Sequence, residues 1–175
     1  VKTIVIGLCI ALTACALVAV TSAETKTRAV VAATQGGETF THSDAGIKFE
    51  LPKGWKAEPD GGVITVSTPD NSLQMVFWVP EEDSFDAAVK ELDKELGKTI
   101  KNIKMTGKET NDMHNGMSHY GQSGTGEVEG TTIEWSVDVL GAKKPVIILT
   151  FAAPGVWEKH AQDVGKFIAS IKKIS

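Results

Sequence analysis

Between residues 47 and 151 the chain is cut by tight-turn residues into short apolar or alternating runs, a spacing that antiparallel strands satisfy and long crossovers do not. Residues 47–51 (IKFEL) alternate strictly and are followed by Pro52-Lys53-Gly54-Trp55. Asp60-Gly61-Gly62 leads into 63–67 (VITVS), and Pro69-Asp70-Asn71 leads into 73–79 (LQMVFWV), which is apolar on both faces and therefore reads as central. Ile133, Trp135, Val137 and Val139 alternate with Thr132, Glu134, Ser136 and Asp138 in a one-sided strand, and 145–151 (PVIILTF) is a buried one. Two strands of weaker pattern, 103–113 and 117–128, flank Asn115-Gly116, a pair that forms two-residue hairpin loops because both positions need positive φ.

Two segments change period. After Ser84, which reads as an N-cap, Phe85, Ala88, Val89, Leu92, Leu96 and Ile100 recur every three or four residues, with charged side chains between them. After Pro154-Gly155, Trp157, Ala161, Val164, Ile168 and Ile171 form a second apolar stripe. The order is three strands, a helix, four strands and a helix. The expected class is α+β, a mostly antiparallel sheet flanked by two helices.

The amino-terminal segment bears on compartment. Lys2 precedes an apolar run from residue 4 to 20, and Thr21-Ser22-Ala23 supplies small residues before Glu24, the layout of a secretory signal spanning 1–23 with cleavage between Ala23 and Glu24. A rival reading takes Leu12-Thr13-Ala14-Cys15 as a lipobox, with Cys15 as the lipid attachment site of an envelope lipoprotein. Either route exports the chain to the periplasm or beyond. Residues 24–38 are small and polar and read as a flexible tether, which leaves 39–175 as a single domain. Both cysteines of the chain, Cys9 and Cys15, lie in the signal segment, so disulfides, thiolate catalysis and cysteine-bound zinc are not expected in the domain. A domain of that size must be held by its core alone, burying about two thirds of its unfolded surface.

Net charge is −4, and the densest basic spots are only the pairs Lys143-Lys144 and Lys172-Lys173. Binding of nucleic acid through phosphate neutralisation is not expected. Nor is membrane insertion of the domain, unless a lipid at Cys15 anchors it.

One constellation carries chemistry. If Asn115-Gly116 is the loop, His114 pairs with Met117 and Asp112 with His119, so period two sends Asp112, His114, Met117 and His119 to one face. Two imidazoles, a carboxylate and a thioether suit a zinc or copper ion, and the bland alternative is a hairpin whose polar groups face water. His42 and His160 stand alone. The glycine-dense stretch 121–126 (GQSGTG) lacks the ending of a phosphate-binding loop and reads as a flexible hairpin or bulge. Of four tryptophans, Trp78, Trp135 and Trp157 read as core and Trp55 as a packing anchor at the domain edge. No serine lies in a strand-turn-helix elbow, so no catalytic residues are expected, and no cofactor.

The element order, the opening Phe49-Glu50-Leu51-Pro52-Lys53-Gly54-Trp55, the Ala152-Ala153-Pro154 lead and a closing helix ending Phe167-Ile168-Ala169-Ser170-Ile171 together resemble the PsbP-like superfamily. That superfamily takes in the PsbP extrinsic proteins of photosystem II, Ran-binding Mog proteins and bacterial exported proteins of the DcrB type. The resemblance covers about residues 39 to 174 and implies an α/β/α sandwich, together with a non-enzymatic accessory or binding role. It transfers no site residue. The expected function is that of an exported accessory protein binding an unidentified envelope partner. The alternative is a small-ligand or metal-binding periplasmic module using the hairpin face.

Overall fold

Alternation and tight turns produce eleven strands and two helices over residues 37–174, the part of the chain that the computed structural model describes. Cys15 and the Ala23-Glu24 junction lie outside the described residues. In chain order the strands are β1 (Thr39–His42), β2 (Ile47–Glu50), β3 (Lys56–Asp60), β4 (Val63–Ser67) and β5 (Leu73–Trp78). Helix α1 (Phe85–Thr99) follows, then β6 (Lys101–Met105), β7 (Thr110–His114), β8 (Met117–Val128), β9 (Thr131–Gly141) and β10 (Pro145–Ala152). Helix α2 (Trp157–Ser170) and a short β11 (Lys172–Lys173) complete the domain.

The main sheet runs β3-β4-β5-β10-β9-β8-β6, with β7 also paired to β8, and every pairing is antiparallel. From the central β5 the chain crosses over α1 to the far edge at β6, then returns by hairpins until β10 lies beside β5. All eight residues of β10 are buried, which is why that run carries no polar alternation. Ser84 caps α1 as expected, its hydroxyl accepting from the Ala87 N–H at 3.3 Å. Helix α1 lies against β9, β8 and β6, with Ala88, Leu92 and Leu96 buried. Trp135, Val137 and Val139 of β9 are buried with them, as the odd positions of an alternating strand should be.

The other face is covered by α2 and by a second, three-stranded sheet in the order β1-β2-β11. Its core is aromatic. Phe49 stacks on Phe77 with ring centroids 5.1 Å apart, and Phe167 of α2 meets Phe49, Phe77 and Trp55. The fold is thus the expected α+β class with a helix on each face of a mostly antiparallel sheet. The small second sheet was not expected. It exists because the Pro52-Lys53-Gly54 turn, with Gly54 at φ 84°, breaks the chain direction after β2. The structured chain also reaches back into the segment read as a tether, since the Gly37 N–H donates to the Leu51 carbonyl.

Three local readings are corrected, and one strand, β3, went unread. Residues 103–113 do not form one strand: β6 and β7 pair with opposite halves of β8, separated by a turn at 106–109. The polar β3 has no apolar signal and sits at the sheet edge, where Pro59 costs no ladder bond. The glycine-dense stretch is not a hairpin but the middle of the twelve-residue β8, and the irregularity expected there falls on its partner, where β6 shifts register between Lys101 and Lys104 opposite Gly126. The β8 glycines make room: a Cβ on Gly124 would fall 2.2 Å from the Lys104 carbonyl and 2.7 Å from the Trp135 ring, which lies over its cross-strand partner. On α2, finally, Phe167 replaces Trp157 and Ala161 at the buried stripe, because the helix is rotated toward the aromatic cluster; Trp157 and Trp78 are only half-buried.

Candidate functional site

Rotation of α2 toward the aromatic core leaves the polar half of the sheet beneath it uncovered. Between the helix and the β8-β9 surface runs an open groove of about 510 Å³. Trp157, Val164, Gly165 and Ile168 line its helix side, and His119, Ser123, Ser136, Asp138 and Thr150 line its floor. Those floor residues share a face by register: Ser123 is opposite Ser136, Ser136 is opposite Thr150, and Gly121 is opposite Asp138.

The hairpin beside the groove has the expected pairing, Asp112 with His119 and His114 with Met117, and Asn115 and Gly116 take φ of 47° and 77°. All four candidate ligands do face one side, but they do not converge on one point. Met117 is fully buried in the aromatic core, out of reach of a surface ion. His119 instead lies between two carboxylates, its Nδ1 2.7 Å from Asp112 Oδ1 and its Nε2 2.8 Å from Asp138 Oδ1. Both carboxylates favour the protonated ring, and the Asp138 bond is the main cause of its raised pKa, against the opposing effect of burial. Its neighbour His114 stands edge-on, ring centroids 6.1 Å apart. Among the described residues no group of three or more His, Cys, Asp or Glu is arranged to hold a metal ion. An ion entering here would have to displace a carboxylate from His119.

Asp138 and Gly121 complete this set, and the sequence reading missed both. Asp138 was visible only as a polar position of an alternating strand; the β8-β9 register brings it to His119. Gly121 leaves the space, since a Cβ there would sit 3.3 Å from His119 Nε2. Asn115 has a second role as well. Its side-chain amide donates to the carbonyls of Ala169 and Ile171 at 3.0 and 2.8 Å, tying the hairpin loop to the carboxyl end of α2.

The other histidines are not solitary. His160 of α2 touches the Trp55 ring and lies 3.4 Å from Ser72 Oγ, but that hydroxyl donates to Asp70 at 2.7 Å and so offers His160 no activated nucleophile. His42 is buried, its Nδ1 accepting from the Ala45 N–H, and burial lowers its pKa while Asp44 opposes the shift.

A scan against known families finds no match, and no curated protein matches the sequence. Solved structures do. The cyanobacterial PsbP (CyanoP) of Synechocystis sp. PCC 6803 is similar at a TM-score of 0.54 and 10% identity, over 85% of this chain and 98% of that one. The chain has a PsbP-like fold. LpqN of Mycobacterium tuberculosis, described as involved in cell envelope biogenesis, is similar at a TM-score of 0.52 and 12% identity, over 77% of this chain and 88% of that one. A Bacteroides thetaiotaomicron structure is similar at 0.53 and 16% identity, over 80% of this chain and 49% of that one. At these identities the likeness is one of fold, and it carries no residue of the groove with it.

Proposed function

We propose that this PsbP-like protein is exported and works in the cell envelope as a non-enzymatic accessory protein, holding an extended segment of a partner protein in the groove beside α2. The observation that supports this reading best is the groove itself: open to solvent, apolar on the helix side and polar on the floor. Pockets that take small molecules enclose most of their ligand, whereas an open groove with one apolar wall and a polar floor suits a peptide laid along it. The signal-like segment at residues 1–23 supports export. LpqN, with the same fold, lends support to an envelope role.

Catalysis is disfavoured on chemical grounds. Both ring nitrogens of His119 face carboxylates, and among the described residues no hydroxyl or thiol bonds it, so it has no nucleophile beside it to activate. Gly165 provides the test, because a side chain built there meets open space and would project into the groove. The full chain should capture a defined partner from envelope extract, and Gly165→Trp should lose that partner while keeping its circular dichroism and melting temperature. Capture unchanged by Gly165→Trp would rule out the groove, and a wild type that captures nothing would sink the reading.

A further inference from the structure

The two basic pairs that lie far apart in sequence meet at one corner of the fold. The β9-β10 turn carries Lys143 and Lys144, β11 carries Lys172 and Lys173, and all four are exposed. Both segments bond the same turn, the Lys143 N–H donating to the Ala45 carbonyl at 3.1 Å and the Ile174 N–H to the Gly46 carbonyl at 2.9 Å. Lys143 and Lys173 line a hollow of about 390 Å³ there, together with Ser43, Gly46, Ala142 and Ile174.

A fifth lysine joins them against the rules of strand pairing. Lys48 of β2 is directly opposite Lys172 of β11, and like charges so placed repel. No carboxylate lies within 4.0 Å of any of the five ammonium groups among the described residues, although Asp44 is in the adjoining turn and Glu50 two residues along β2. The chain as a whole is acidic, at −4, so this corner departs in sign from the rest of the molecule. Beside the lysines Ile174 is 42% exposed, one of the few large apolar side chains so uncovered among the described residues.

We infer that the corner formed by Lys48, Lys143, Lys144, Lys172, Lys173 and Ile174 rests on a membrane surface rich in anionic phospholipid headgroups. Lys48 and Lys172 share one face of the small sheet, Lys173 alternates to the other, and Lys143 and Lys144 lie in the neighbouring β9-β10 turn, so the five are spread over the corner and only Lys143 and Lys173 line the hollow. Such a spread matches a deformable layer of many phosphates better than one bound phosphate, and an exposed Ile174 among them can enter the headgroup boundary. The corner shares no lining residue with the groove, so the inference goes beyond the partner-binding reading and stands or falls without it.

Amine labelling followed by mass spectrometry tests this on the full chain, because it reads each lysine separately whatever residues 1–36 do. The protein is labelled on vesicles of phosphatidylcholine alone and on vesicles containing phosphatidylglycerol. On the anionic vesicles the five corner lysines should react about fivefold more slowly, the factor expected per lysine held at such a surface, while Lys94 and Lys98 of α1 should not change. High salt should abolish the difference. Lys143→Gln combined with Lys173→Gln should remove most of the protection at Lys48 and Lys172. Equal labelling on the two vesicle types overturns the inference. So does equal protection by inorganic phosphate on neutral vesicles, which would assign the corner to a soluble phosphate instead.

Discussion

Trp135 shows how much one side chain decides in this domain. It is 1% exposed, packs over Gly124 across the β8-β9 pair, and faces the α1 side of the sheet. Trp135→Ala should cost about 3 to 5 kcal/mol, the range for deleting a buried aromatic, whereas Glu134→Ala on the opposite face should cost about 0.5 kcal/mol or less. Equal shifts in denaturant midpoint would mean that the two faces are assigned the wrong way round. The Asp112-His119-Asp138 set makes a prediction in pH. The His119 pKa in the folded protein is raised above 6.5, so the stabilisation is complete below pH 6.5 and fades as pH rises through the folded value. The stability gap between wild type and Asp138→Asn should therefore be widest in mild acid and narrow in alkali. A gap independent of pH would show that the bond is not charge-assisted. His42 runs the other way: its pKa is lowered from 6.5, so what its neutral burial contributes is present above that pH and is lost as pH falls through the lowered value.

At the level of elements, the link between the hairpin and α2 is the contact most open to test. Asn115 occupies a position of positive φ and closes two carbonyls at the end of α2. Asn115→Gly keeps the turn conformation and deletes these two hydrogen bonds together with the 3.3 Å contact to His114 Nε2, so its expected cost is about 1 to 2 kcal/mol, with faster amide exchange in the last turn of α2. Unchanged exchange there would mean that the side chain does not hold the helix. The same element view explains the groove. A helix turned to place Val164, Phe167 and Ile171 on the core leaves Trp157, Gly165 and Ile168 at the rim, and the floor beneath them keeps its polar side chains.

For the molecule as a whole, stability comes from packing on both faces of one sheet, with α1 on one side and α2 with the three-stranded sheet on the other. The described domain contains no cysteine. Its melting temperature should be the same with and without a thiol reductant; a reductant-dependent shift would show that Cys9 or Cys15 contributes to the folded state. The groove and the lysine corner use different parts of this frame, so the proposed partner segment and the proposed membrane surface would not exclude each other.

Much of this was legible in the chain, because it rests on local rules. Ser84 as a cap, the positive-φ pair Asn115-Gly116 with its cross-strand register, the inward odd positions of β9 and the fully apolar β10 all follow from period, propensity and turn residues within a few positions of one another. The α+β class follows from their order. What remained hidden depends on residues that are distant in sequence. Asp138 reaches His119 only through the β8-β9 register, Asn115 caps α2 across 54 residues, Lys48 meets Lys172 only because β11 closes the small sheet, and the rotation of α2 is set by aromatic rings from β2, β5 and the turn at Trp55. Periodicity states which side chains share a face of one element. It does not state which other element covers that face, and here the choice of cover decided which face became core, which became groove and where positive charge collected.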